Sequence, residues 1–217
     1  DLKSQKARYY FSLGEIENLQ ENMPNSIAYF KKALEFDPSS AYLHTRLAEA
    51  YIANSEFNVA RAQLEKAVGL EKNRADAYFF LGNISAIEKK YEEAIRHFQK
   101  VIELDPEQEQ AYILLSTVYA QRQDYKSAEE LLKAFLKSNP QSFFAYYYLG
   151  RLYVDQKQGR SAETQFNKSL EVNPLFHPAA TALGQYYESR GQQDRAVDIY
   201  IQAIESGSDN VHLLMQT

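Results

Sequence analysis

Apolar residues recur along this chain with the spacing of amphipathic helices, and the whole pattern repeats every 34 residues. The clearest copy runs from Tyr78 to Pro106, where two apolar helical stripes are separated by a short polar turn and closed by a proline. The same pattern returns from Tyr112 and again from Tyr146. A fixed period of this length is typical of stacked helix pairs, so the sequence predicts an all-α solenoid of about 12–13 helices.

Six copies of this pattern follow one another without insertion or deletion. They are residues 7–40, 41–74, 75–108, 109–142, 143–176 and 177–210, with residues 1–6 as the start of the first helix. Residues 211–217, which include Val211, Leu213 and Leu214, are predicted to begin a seventh repeat or a capping helix, because the last pair of a solenoid needs a cover. We expect the chain to be a piece of a longer protein, and we expect the exposed C-terminal end of this piece to allow homo-oligomerisation.

Within each copy, a few positions hold the same kind of residue throughout the chain. Position 7 is always leucine, position 8 is always small, position 20 is alanine or serine, and position 24 is bulky and apolar. Glycine inside a helix costs about 1 kcal/mol relative to alanine. Its presence at position 8 in four copies therefore predicts that two helix backbones approach closely there; these residues are Gly14, Gly82, Gly150 and Gly184.

The ends of the helices are also marked. A proline closes the second helix in four copies, at Pro38, Pro106, Pro140 and Pro174. In the sixth copy, which has Ser208 at this point, Gly207 offers another route to termination. Ser40 and Ser142 then provide candidate N-caps for the helices that follow them.

Composition narrows the possible functions. The net charge is −5, with acidic and basic residues interspersed, so a basic surface for nucleic acid or for a membrane is not expected. The absence of cysteine excludes disulfides and thiol chemistry. No apolar run approaches the roughly 20 residues that span a bilayer, so membrane insertion by this segment is not expected. We expect a soluble chain, in the cytoplasm or in the bacterial periplasm or envelope.

No pattern of catalytic residues stands out. The four histidines lie in different copies, and no glycine-rich phosphate loop, metalloprotease motif or nucleophile elbow occurs. We expect His44 to be a buried spacer and His97 to face solvent. The sequence therefore predicts no enzyme activity, no cofactor and no metal site in this chain.

The repeated motif resembles that of the tetratricopeptide repeat family. Its pattern is aromatic-x2-Leu-Gly-x2-Tyr, then Ala-x3-Phe-x2-Ala, then Pro, and copies three to five carry most of it. The departures are scattered: Glu17 and Ser85 at the tyrosine position, His44 and Ala180 at the first aromatic, and Phe135 and Ser169 at the second alanine. The resemblance covers Ala7 to Asn210. It implies a right-handed superhelix whose first helices line a concave groove, and a role in holding other proteins.

The resemblance also implies which side chains line the groove, namely those of the first helices that do not face the core. The candidates are Phe11, Tyr42, Arg46, Phe79, Phe80, Asn83, Ile113, Phe144, Tyr147, Tyr148 and Arg151. Aromatic residues are in excess in this set, and they are enriched at binding hot spots. Such a groove suits an extended peptide or an amphipathic helix. The alternative is that some of these rings pack against neighbouring first helices and support the array.

Two specialised groove types do not fit. Chaperone-tail binders hold a C-terminal carboxylate with several converging cations, whereas this groove offers only Arg8, Arg46 and Arg151, in separate copies. The substrate arms of O-linked sugar transferases carry a ladder of asparagines at position 6, which this chain lacks.

Three functions remain as hypotheses. The first is a protein-interaction scaffold or adaptor that binds a peptide or helix of a partner, within a multiprotein assembly. In its repeat number the chain resembles bacterial envelope lipoproteins that help to assemble pilus secretins. The second is the recognition arm of a larger enzyme, and the third is a homo-oligomerising assembly platform.

Overall fold

The structure, a computed structural model, describes residues 1–205 of the chain. These residues form twelve α-helices and contain no strand, which confirms the predicted all-α class. The helices are α1 (Leu2–Leu19), α2 (Met23–Phe36), α3 (Ala41–Ala53), α4 (Phe57–Leu70), α5 (Ala75–Ile87), α6 (Tyr91–Leu104), α7 (Glu109–Gln121), α8 (Tyr125–Ser138), α9 (Phe143–Asp155), α10 (Gly159–Val172), α11 (His177–Ser189) and α12 (Gln193–Glu205). The predicted cap at residues 211–217 and the predicted stop at Gly207 and Ser208 lie outside the described residues. The division into six copies, drawn from the sequence, stays a prediction.

The chain forms two compact units, the first spanning Asp1–Ala111 and the second beginning at Tyr112, within α7. In the first unit, α1 packs on α2, α3 on α4 and α5 on α6, and α2 also contacts α3 while α4 contacts α5. In the second unit, α9 packs on α10 and α11 on α12, with α8 against α9 and α10 against α11. Each unit therefore contains helix pairs stacked side by side, with an apolar core between their helices.

Side-chain caps and left-handed turns set the helix boundaries. The hydroxyl oxygens of Ser40 and Ser142 accept hydrogen bonds from the backbone N–H groups of Leu43 and Ala145, which confirms both predicted N-caps. Between the two helices of each pair, one residue has a positive φ; these residues are Glu21, Ser55, Lys89, Gln123, Lys157 and Gly191. The left-handed residue reverses the chain in a turn of few residues, which brings the two helices of a pair alongside each other.

The close approach predicted at position 8 is confirmed. A Cβ atom added to Gly82 would lie 2.7 Å from the Phe98 ring, and one added to Gly150 would lie 2.6 Å from the Phe166 ring. Distances this short leave no room for a methyl group, so the ring of the second helix lies against the backbone of the first. The face of each first helix that points away from this ring takes no part in the contact.

Polar contacts join consecutive pairs in the second unit. The Tyr153 hydroxyl donates to Glu129 at 3.0 Å, and the Tyr187 hydroxyl donates to Glu163 at 2.8 Å. In the first unit, Ser85 replaces tyrosine at the same position. There the Arg61 guanidinium donates a hydrogen bond to the Ser85 hydroxyl at 3.4 Å and another to Glu88 at 2.6 Å. Where the tyrosine is replaced by Ser85, an arginine from the preceding pair therefore provides the polar contact between pairs.

Candidate binding surface on the first helices

In the first unit, an ion-pair cluster holds the arginine predicted to line the groove. The Arg46 guanidinium donates two hydrogen bonds to Glu15 of α1, at 2.9 and 2.8 Å, and pairs with Glu49 of its own helix. Its charge is therefore neutralised by two carboxylates, and its donors are largely occupied within the fold.

The aromatic candidates of the first unit are partly used in packing. Phe11 is half-buried, with its ring 5.9 Å from Phe30 and 5.5 Å from Tyr42. Tyr42 remains 45% exposed, and the Arg74 guanidinium lies 5.5 Å from its ring. These rings thus combine a supporting role with some exposed surface.

The remaining candidates of α5 lie in a similar environment. Phe79 contacts Phe98 and Phe80, at centroid distances of 6.1 and 6.0 Å. Phe80 packs against the core of this unit, and both rings are half-buried, as is Asn83. Much of the surface of Phe79 and Phe80 is therefore used in packing within the first unit, which agrees with the alternative that some of these rings support the array.

Ile113 differs from the expectation. It is only 8% exposed, and its carbonyl oxygen accepts hydrogen bonds from the hydroxyls of Ser116 and Thr117. Its side chain is buried and offers almost no surface to a partner. The same position is also covered in other copies: Thr45 is buried, and Phe11, Phe79 and Tyr147 are half-buried.

Two of the four candidates of α9, Phe144 and Tyr147, come together with a residue that sequence reasoning missed. Phe176, the N-cap residue of α11, contacts Phe143, Phe144 and Tyr147 at centroid distances of 4.9, 5.1 and 5.3 Å. We call these four residues the Phe176 cluster. Phe144 remains 38% exposed at its edge. A phenylalanine two residues after Pro174, in a connection between helices, was the only sequence signal for this contact.

Tyr147, Tyr148 and Arg151 occupy the next turn of α9. The two tyrosine rings meet edge to face at 5.3 Å, and the Arg151 guanidinium lies 5.9 Å from one ring centroid and 5.7 Å from the other. Arg151 is exposed and, within residues 1–205, it forms no ion pair with a carboxylate. The Arg151 guanidinium can therefore pair with a carboxylate of a partner, whereas that of Arg46 is already paired with Glu15 and Glu49.

A cleft opens between α9 and α11 beside these residues. We call it the α9–α11 cleft; its volume is about 460 Å³. Its lining includes Tyr147, Arg151 and Asp155 from α9, Phe166 from α10, and Ala182, Gln185, Tyr186 and Ser189 from α11. Aromatic surface thus lines the cleft, with one cation and one carboxylate among its side chains.

The described residues contain no arrangement typical of catalysis. His44 is buried and hydrogen-bonded to Gln63 and to the Pro38 carbonyl, as expected of a spacer. His97 does not face solvent as predicted: it is half-buried against Tyr78, and burial lowers its pKa. Among residues 1–205, no group of acidic residues and histidines could hold a metal ion, and no helix is both long and apolar enough to cross a bilayer.

The stacked helix pairs, with a core between their helices and an outward face on each first helix, define a helical-repeat protein. Family profiles described as tetratricopeptide repeat match residues 45–109 and 147–211 in one case, 86–149 in another and 7–40 in a third. The chain belongs to the tetratricopeptide repeat family, as predicted. No curated protein matches it. Proteins of this family are generally non-enzymatic interaction scaffolds.

Solved structures share the fold at low sequence identity. A PilF structure from Pseudomonas aeruginosa has a TM-score of 0.75 and 19% identity, over 99% of this chain and 98% of that one. YrrB, described as a tetratricopeptide repeat protein with an unusual peptide-binding site, has a TM-score of 0.59 and 24% identity, over 86% and 96%. The first repeat domain of Spaghetti (RPAP3), bound to the HSP90 peptide SRMEEVD, has a TM-score of 0.53 and 29% identity, over 54% and 94%.

Proposed function

We propose that this chain is a scaffold or adaptor in a multiprotein assembly, and that it binds a peptide or a helix of a partner protein on the first-helix face of its second unit. The observation that carries this proposal is the α9–α11 cleft, with aromatic lining and the exposed Arg151 guanidinium at its side. The proposal narrows the surface predicted from the sequence, which extended over all copies.

The chemistry of the cleft suits a protein ligand. Tyrosine provides a large contact area, and its side chain has few rotatable bonds to immobilise on binding. Here Tyr147 is already packed against Phe176 and Phe166, so its position is largely set before a partner arrives. Preorganised side chains lose less entropy on association, which favours affinity.

The other candidate positions are less suited to this role. Arg46 is held by Glu15 and Glu49, and Ile113 is buried. Phe79 and Phe80 could add contacts in the first unit, but much of their surface is already covered there. The peptide-binding site named for YrrB and the peptide complex of Spaghetti support the general idea that helix pairs of this fold can hold a peptide.

An affinity experiment with four variants tests the proposal. The purified chain is used to capture proteins from an extract of its own organism, and Tyr147→Ala, Arg151→Ala and Phe79→Ala are compared with it. Arg96→Ala is the matched control, because it removes an exposed cation from the second helix α6. Interactors lost with Tyr147→Ala and Arg151→Ala but kept with Arg96→Ala support the proposal. Interactors kept by both α9 variants would refute it.

A further inference from the structure

The α9–α11 cleft is large because the residue at position 6 of α11 is small. Position 6 is Leu114 in α7, Tyr148 in α9 and Ala182 in α11. Tyr148 projects into the space between α7 and α9, where the remaining cleft measures about 60 Å³. Between α9 and α11, where Ala182 lines the space, the cleft measures about 460 Å³. A methyl group thus stands where the preceding copy has a phenol ring, and the cleft is open.

The open cleft has an apolar floor. Phe166, which is fully buried, and Ala182 form part of its lining, and the rings of Tyr147 and Tyr186 flank them. The volume lies within the range of about 300–1,000 Å³ that is usual for ligand sites. It accommodates one large apolar side chain, such as phenylalanine, leucine or tryptophan, together with part of the backbone that carries it.

The rim adds an electrostatic preference. Arg151 lies beside the cleft with no ion pair to a carboxylate of residues 1–205, and stacking on two tyrosines holds its guanidinium at the entrance. A planar guanidinium forms two parallel hydrogen bonds with a carboxylate, so an acidic side chain of the partner would satisfy it. Asp155, one turn further along α9, also lines the cleft and is left to accept hydrogen bonds from N–H groups of the ligand.

We propose that the α9–α11 cleft is a socket for a partner segment in which a large apolar residue stands next to an aspartate or glutamate. This proposal rests on the proposed function and specifies its ligand. The apolar side chain occupies the space above Ala182, and the neighbouring carboxylate pairs with Arg151. The socket lies in the sixth copy, because only there, among the first helices of the second unit, does position 6 hold alanine.

A peptide selection tests the socket. A phage-displayed library of random twelve-residue peptides is selected on the purified chain, and individual peptides are then titrated against variants. Ala182→Tyr fills the socket with the residue that α9 carries at the same position, so the fold should accept it. Ala182→Leu, which copies α7, is the second filling variant, and unchanged circular dichroism and thermal melting verify both.

The expected result is a consensus of one large apolar residue adjacent to Asp or Glu. Binding of such peptides falls about tenfold or more with Arg151→Ala, because a charge-assisted pair is lost, and falls to a similar extent in both filling variants. Asp155→Asn strengthens binding, since it removes a like charge, and Arg96→Ala leaves it unchanged.

The outcomes separate the socket from the general function. Peptides that bind the filling variants as tightly as the parent, yet lose affinity with Tyr147→Ala, would overturn the socket and leave the proposed function standing. A basic consensus, or affinity unchanged by Arg151→Ala, would overturn the acidic part of the proposal. If no peptide is enriched on the chain at all, the socket fails, and the proposed function is decided by the capture experiment described for it.

Discussion

The Phe98 ring lies against the backbone of α5 at Gly82, at a distance of 2.7 Å from the place of the missing Cβ atom. The same relationship recurs wherever position 24 is aromatic: Gly14 faces Phe30, Gly150 faces Phe166 and Gly184 faces Tyr200. Where position 24 is the smaller leucine, as at Leu64 and Leu132, position 8 is Ala48 or Ser116. The two positions therefore share a fixed space, which either a ring or a Cβ atom can fill.

We predict that Gly82→Ala destabilises the chain although alanine favours helix. The new methyl group collides with Phe98, and overpacking of a core costs about 1–3 kcal/mol, whereas the gain in helix propensity is about 1 kcal/mol. Gly82→Leu should be worse. Urea denaturation monitored by circular dichroism measures the change in the free energy of unfolding.

The compensating variant is more informative than the single one. Combining Gly82→Ala with Phe98→Leu reproduces the pair of Ala48 and Leu64, so the double variant should be more stable than the sum of the two single changes predicts. Gly69→Ala is the control, because a Cβ atom there has no neighbour within 4 Å, and it should be stabilising. If the changes in the free energy of unfolding of Gly82→Ala and Phe98→Leu simply added in the double variant, the two positions would not share one space.

The turn between α5 and α6 provides the second prediction. Lys89 has a φ of 58° there, a left-handed conformation that disfavours side chains with a Cβ atom. Lys89→Gly should therefore raise the free energy of unfolding by about 1 kcal/mol. Conversely, Gly191→Ala at a φ of 70° should lower it by a similar amount.

Lys89→Ala is the matched control for this prediction. It removes the charge and length of the side chain but keeps the Cβ atom, so it should change stability by much less than Lys89→Gly. If both substitutions stabilised the chain equally, the effect would come from the lysine side chain and not from its backbone conformation.

The sequence predicted the features that depend on residue spacing. The period specified the helix pairs and the small residue at position 8, because these depend only on which positions face each other along a helix. The candidate site depends on contacts that residues of other elements make with the first helices. Phe176 reaches Tyr147 from a connection between helices, and Glu15 reaches Arg46 from a neighbouring pair. Neither contact follows from helical periodicity, so both were missed.

The third prediction concerns stability at high pH. Burial, together with the nearby Glu188 carboxylate, raises the pKa of Tyr200 to about 12, from a usual value of 10.0. The folded chain therefore holds this proton more tightly than the unfolded chain does. Its contribution to stability is complete below about pH 10 and is lost as the pH rises through about 12.

Replacing Tyr200 by phenylalanine tests this dependence. The hydroxyl donates to Glu188 at 3.3 Å, so Tyr200→Phe removes one weak hydrogen bond and the titrating group together. The free energy of unfolding of the variant should fall less than that of the parent between about pH 10 and pH 12. Tyr9→Phe, at a ring that is 61% exposed, is the control. Equal losses in Tyr200→Phe and in the parent would exclude Tyr200 as the source.

The last prediction separates two arginines that the sequence placed in the same groove. Arg46 is bound to Glu15 and Glu49, so Arg46→Ala leaves two uncompensated carboxylates and should lower the free energy of unfolding by about 1 kcal/mol. Within residues 1–205, Arg151 contacts the rings of Tyr147 and Tyr148 and pairs with no carboxylate, so Arg151→Ala should leave stability nearly unchanged and weaken the binding of a partner. Urea denaturation and peptide titration of the two variants, side by side, measure both effects. If Arg46→Ala weakened binding without a change in stability, the neutralised cluster of the first unit would have to be included in the binding surface.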